Sequence, residues 1–378
     1  MKTAGKLIFV SVSVAFSACA QAQVPDLLTA FDAGGRALGM GGANNVTGAD
    51  TLSSYYNPAG LGYLMNKGLG VTWRNMPQSN TVVTGDLVPA GGERLTSTGQ
   101  SGPKALSHAG FVFPLGKKGG NTKGTIGIAL TTGGQIRDHR IAGAGLTEGG
   151  LPAGGYDQLL KNRTDFLTIG WGKAMGGSGM NFGISAVYAR NNTVNNRSGV
   201  PSGSTLYEEQ SSGWGALVGL QFVPSNNPNT SFGVSYRSEI KLHSNGGSIL
   251  LYDKIPARLA AGLAIRKDGM RGGKDYMTLG AEVAHFFSGT TGVFFDRTTQ
   301  TALGFGGEYN YLWGGSRVPI RLGFNMVQSG GLGYGERKGL TYGLGYHPGN
   351  KEWAIDLNFG KPQGGGSDAS ISLSFRFK

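Results

Sequence analysis

From Lys67 onward, large apolar residues alternate with small or polar ones at period two, the spacing of a strand with two chemically different faces. In "LTYGLGYH", Leu340, Tyr342, Leu344 and Tyr346 fall on one face, and Thr341, Gly343, Gly345 and His347 on the other. "WAIDLNFG" sets Trp353, Ile355, Leu357 and Phe359 against Ala354, Asp356 and Asn358. "SISLSFRFK" sets Ile371, Leu373, Phe375 and Phe377 against Ser370, Ser372, Ser374 and Arg376. Trp214 to Phe222, Phe232 to Tyr236 and Met277 to Val283 repeat the plan.

The pattern predicts fourteen strands, at 67–74, 105–114, 123–132, 163–173, 179–190, 210–223, 230–242, 256–266, 274–287, 299–312, 316–326, 338–346, 351–359 and 369–377. Most are close to the roughly 9–11 residues a tilted strand needs to cross a bilayer. Short connections rich in turn residues ("PLGKKGGNT", "GGS", "PSNNPN", "KDGMRGG", "WGGS", "HPGN") alternate with long ones (75–104, 133–162, 191–209, 243–255, 288–298, 327–337, 360–368). Short turns on one side, longer loops on the other and an even strand number are the plan of an outer-membrane barrel, with both termini in the periplasm.

Composition decides which face is out. A soluble sandwich would bury the large residues, and its opposite faces would carry many Lys, Glu and Thr. Here the small face is mostly Gly, Ser, Thr and Ala, charged residues are 15% of the chain, and Gly contributes 69 of 378 residues without a collagen period. The bulky face therefore meets lipid and the small face encloses a lumen. The expected fold class is all-β: a transmembrane antiparallel β-barrel of about fourteen strands with an N-terminal hatch in the lumen.

The expected division is a signal peptide at 1–22, a hatch at 23–66 and the barrel at 67–378. Lys2 and Lys6, the apolar run Leu7 to Phe16 and the small residues Ala20 to Ala22 form the signal pattern, with cleavage after Ala22. "FSAC" ending at Cys19 loosely matches a lipoprotein box, but Phe16 stands where Leu is usual. Cys19 is the chain's one cysteine, so no disulfide or thiolate metal site is expected. The net charge of +12 is dispersed, which suits anionic lipid headgroups and argues against nucleic acid.

Register extends the reading. A two-residue turn at Gly314-Gly315 sets Glu308 opposite Arg321, and period two places both inside. Glu282, Asp356 and Arg376 also point inward, so the lumen is expected to carry compensated charges, or charges that solvate a water-filled interior. A turn at Gly349-Asn350 would pair Tyr346 with Trp353.

A fourteen-stranded barrel is too wide for wall side chains to fill. The stretch before the first strand, about Val24 to Asn66, lacks strand periodicity. It is rich in Gly, Asn and Pro, with a short helical piece expected near Leu27–Phe31 or Leu38–Ala43. It is the natural plug.

"RALGMGGA", "NPAGL", "IPARLAAGLAIR" and "LGAEVAHF" are the pieces in which this sequence resembles the FadL-like outer-membrane barrels. That superfamily includes long-chain fatty-acid and aromatic-hydrocarbon channels and the barrel proteins of type IX secretion. The resemblance implies a fourteen-stranded barrel with an N-terminal hatch, and places the hatch motif on Asn57, Pro58 and Ala59. Read as residues alone, these three also make a simple turn. The resemblance further implies a channel for uptake of hydrophobic small molecules, fatty-acid-like or hydrocarbon, moving past the hatch and often out through a gap in the wall.

The alternative is a barrel that does not transport, serving a secretion system or the envelope as an interaction protein. Small, polar loops such as "SNTVVTGDLVPAGGERLTSTGQSG" would suit protein contacts. Expected partners are the bilayer, a hydrophobic or detergent-like small molecule, and the barrel assembly machinery, which commonly reads a last strand like "SISLSFRFK". No enzyme, cofactor or metal is expected. His108, His139, His243, His285 and His347 are scattered, and neither HExxH nor GxSxG occurs.

Overall fold

The computed structural model describes residues 33–43, 45–75, 96–99, 104–116, 123–143, 147–148, 151–152, 156–176, 179–200, 203–244, 253–287, 299–328, 337–362 and 368–377. The signal pattern, Cys19 and the expected helical piece at Leu27–Phe31 lie outside them.

Fourteen strands form the wall: β1 (Lys67–Asn75), β2 (Lys104–Pro114), β3 (Thr125–Gly143), β4 (Tyr156–Met175), β5 (Met180–Val200), β6 (Gly203–Phe222), β7 (Thr230–Arg237), β8 (Arg258–Gly269), β9 (Asp275–Phe286), β10 (Gln300–Trp313), β11 (Ser316–Val327), β12 (Arg337–Tyr346), β13 (Trp353–Pro362) and β14 (Asp368–Phe377). Each pairs antiparallel with the next, and β14 returns to β1 with Lys67 opposite Phe377. Closure removes the unpaired edges that hydrocarbon would penalise. The short connections share one end, the turn end, where β1 begins and β14 finishes. The long connections share the other, the loop end.

Outward side chains form the apolar belt that the alternation predicts. Ile128, Ile169, Leu220, Leu279, Phe305, Leu344 and Leu373 are all exposed. Trp73 and Trp214 lie toward the loop end, and Trp313 and Trp353 stand at the turn end, as the aromatic margins of a membrane band do. At Gly314-Gly315 both residues have positive φ (55° and 83°), the two-residue turn that suits strand twist, and Glu308 is the register partner of Arg321.

Three features differ from the sequence expectation. Strands β3 to β6 run far past the membrane band, so much of 133–162 and 191–209 is paired strand rather than loop. Stretches such as "NNTVNNRSGV" carry no apolar stripe, and their extended form comes from pairing with a neighbour. Strand β7 stops at Arg237 instead of continuing to residue 242. Its chain then turns inward, and Ile240 pairs with Ile255, both fully buried. Finally, Tyr346 pairs with Ile355, not Trp353. A turn with Lys351 N–H donating to Pro348 O and Lys351 at φ 58° lengthens the connection by two residues, which keeps every side chain on its expected face.

Residues 33–43 and 45–66 run inside the barrel. They form a helical turn (Gly35–Gly39), a second (Ser53–Tyr56) and a 3-10 turn (Pro58–Tyr63). The first overlaps the expected piece at Leu38–Ala43. Among the described residues, no helix is long and apolar enough to cross a membrane.

Candidate functional site: the luminal seat

The luminal segment rests against the wall backbone to backbone. A side chain at Gly183 would overlap Pro58, one at Gly219 the Asn57 amide, one at Gly233 the Val46 carbonyl, and one at Gly306 or Gly323 the Met40 backbone. Glycines on β5, β6, β7, β10 and β11 thus leave a groove shaped to this segment. That close approach accounts for part of the glycine content.

Asn57 is the keystone. Its side chain is fully buried; Oδ1 accepts from Ala59 N–H at 3.1 Å, capping the 3-10 turn that begins at Pro58. Its Nδ2 donates to Val46 O at 2.6 Å and to Leu220 O of β6 at 3.1 Å. One amide therefore joins two parts of the segment to the wall. Asn57, Pro58 and Ala59 form a turn, and that turn is docked.

The predicted luminal charges separate into three places. Glu308 and Arg321 are buried and 2.7 Å apart, and Glu308 also takes Arg36 of the luminal segment at 3.1 Å. Arg321 continues to Asp356 at 2.7 Å, and Asp356 accepts from His347 Nε2 at 3.0 Å. Arg317 meets the other nitrogen, Nδ1, so the ring is held from both sides. Glu282 stands apart and accepts from the Asn45 and Val46 amides at 2.7 and 3.0 Å, so it anchors the segment as well. Arg376 reaches neither group and lies at the turn-end mouth, exposed. Buried charges are tolerated only when compensated this fully.

On the loop side, the segment meets an apolar cluster. Tyr55, Tyr56, Leu52 and Ala33 pack with Phe166, Val187, Leu217, Ile240 and Ile255 of the wall and its inward-folded connection. Tyr55 lies 5.4 Å from Phe166, centroid to centroid. Two buried arginines border it. Arg237 lies 5.4 Å over Phe166, and Arg258 lies 5.6 Å over Tyr56 while donating to its carbonyl at 2.7 Å.

The wall beside this cluster is interrupted. Pairing between β2 and β3 ends at His108 and Thr131; β3 then bulges between Thr132 and Gly134 and again between Ile136 and His139. Past that point the described contact between β2 and β3 is a side chain, Thr132 Oγ1 donating to Leu106 O at 3.2 Å. The seam borders the cluster directly. Thr131 is the register partner of Phe166, and Ser107 Oγ donates to Ala33 O at 3.1 Å.

The sequence reading missed Arg36, Tyr55, Tyr56, Arg237 and Arg258. For the last two the signal was present: Phe232, Val234 and Tyr236 face out, so Arg237 faces in, and Arg258 precedes outward Leu259. For Arg36 and the tyrosines no periodicity exists to read. Among the described residues, no three His, Cys, Asp or Glu side chains are grouped as a metal site requires.

No protein-family model matches the sequence, and comparison with curated proteins finds no match. Solved structures do share the fold. A Pseudomonas aeruginosa FadL homologue superposes with a TM-score of 0.60 at 15% identity, over 95% of this chain and 100% of its own. The Ralstonia pickettii toluene transporter TbuX gives 0.58 at 16% identity over 93% and 100%. The P. putida toluene transporter TodX gives 0.58 at 16% identity over 93% and 99%. The fold is that of the FadL-like barrels.

Proposed function

We propose that this barrel is an outer-membrane channel for uptake of hydrophobic small molecules, and that residues 23–66 are its hatch. The turn end and both termini face the periplasm. The observation that carries the reading is the apolar cluster built jointly by the luminal segment and the wall, next to the β2–β3 seam. An apolar solute gains about 25 cal/mol per Å² of surface on leaving water, and such a cluster offers that surface inside the barrel. Tyr55 and Tyr56 belong to the segment, so a shift of the segment opens a cavity where they stood. The seam then gives sideways access to lipid. No bond is made or broken, and diffusion supplies the motion. The toluene-transporting proteins of the same fold support the small, aromatic end of the cargo range.

The test is uptake of labelled toluene by intact Gram-negative cells lacking their own channels of this fold. Expression of the protein should give saturable uptake, and Phe166→Asp should reduce it at least tenfold at equal barrel content. Uptake no higher than in cells without the protein would overturn the reading and favour a secretion or scaffold role.

A further inference from the structure

The turn end of the lumen holds two adjoining cavities of ≈ 390 and ≈ 350 Å³ that share Arg266, Tyr276, Arg317 and Arg376. The first is lined by four cations, Arg266, Arg317, Lys351 and Arg376, and by no carboxylate among the described residues. Arg266 is compensated by Asp268 at 2.7 Å. No described carboxylate pairs with the other three. Arg317 spends two donors on the Tyr276 hydroxyl and His347 Nδ1, which leaves three of its five N–H groups. The side chains of Lys351 and Arg376 have no described partner. Glu352, the nearest acid in sequence, accepts from Asn350 at 3.1 Å and does not line the cavity.

Uncompensated cations around a concave space favour an anion, and two features narrow its chemistry. Arg317 is oriented by a hydrogen-bond chain through His347 to Asp356, which the ion pairs of Asp356, Arg321, Glu308 and Arg36 continue. Its planar fork is therefore preorganised for a carboxylate. Leu312, Pro348 and the Tyr276 ring, on which Arg266 stacks at 4.0 Å, supply apolar and flat surface in the same cavity. The volume suits a small ligand. We infer that this cavity is a binding site for small aromatic carboxylates, the anion held by Arg317, Lys351 and Arg376 and the ring lying against Tyr276 and Leu312. It is separate from the apolar cluster, and its occupant is of a different chemical class from a neutral hydrocarbon.

The experiment is equilibrium dialysis of labelled benzoate against the full-length barrel in nanodiscs at low salt. It involves no transport, so its failure is distinguishable from failure of the channel reading. Benzoate should bind saturably. Lys351→Gln with Arg376→Gln should weaken it at least about tenfold, since hydrogen bonds to charged groups are the stronger class. No described residue partners either side chain, so the double variant should keep the fold. Toluene binding, measured in parallel, should be unchanged by the double variant. Three results would overturn the proposal: no benzoate binding above empty nanodiscs, benzoate binding unaffected by the double variant, or displacement by phosphate at the same concentration as by unlabelled benzoate, which would mean a merely cationic mouth.

Discussion

On the loop side of the luminal segment, Tyr55, Tyr56, Phe166 and Leu217 are buried against one another, and the two arginines beside them lie over rings. On the turn side, Arg317, Lys351 and Arg376 line open cavities, and the luminal carboxylates Glu282, Glu308 and Asp356 are held by arginines, a histidine or backbone amides. The segment is the divider, and each of its faces matches the side it meets. An apolar solute at the cluster would face a charged region beyond it, whereas beside the cluster lies the seam where β2–β3 pairing stops. If the proposed channel carries neutral cargo, this contrast favours the seam over the turn end as its way out.

The contrast can be broken most severely at the seat. Gly183→Val places a branched side chain into the Pro58 backbone, where neither chain has room to yield. Overpacking of this kind costs about 1–3 kcal/mol or more. The expected outcome is a displaced segment and a standing pore, read as a large, steady rise in single-channel conductance in planar bilayers. Glu308→Gln is next. It leaves Arg36 without its nearer carboxylate and Arg321 with Asp356 only, and breaking a buried pair costs about 3 kcal/mol. Urea unfolding from detergent should show it, with frequent brief openings instead of a standing pore. Asn57→Ala removes a cap and two further hydrogen bonds, for about 2 kcal/mol. Its signature should be faster proteolysis within 33–66 while the wall stays resistant.

Much of this was legible from the chain. Period two located all fourteen strands because lipid demands a bulky face and the seat demands a small one, so both faces leave a mark. Where β3 to β6 leave the membrane, that demand ends. Residues such as Asn195 and Asn196 then read as loop, although pairing with Tyr207 and Leu206 keeps them extended. Parity also identified Glu308 opposite Arg321, since a one-residue slip would have put the two on opposite faces of the wall. Arg36 was invisible because its segment has no period, and its role exists only through contact with a strand 272 residues away. The turn after Tyr346 was misread by two residues because Gly349-Asn350 resembles a tight hairpin, while Pro348 and Lys351 set a longer one.

The proposed channel works by movement of the luminal segment, and one pair of residues tests that movement. The Ser54 and Thr168 hydroxyls lie 3.0 Å apart across the seat, next to Tyr55, and the chain's one cysteine is Cys19. In the Ser54→Cys/Thr168→Cys variant, oxidation should tie the segment to β4. Toluene uptake should then fall to the level of cells without the protein and return on reduction. Uptake that continues undiminished through a fully cross-linked barrel would contradict the account.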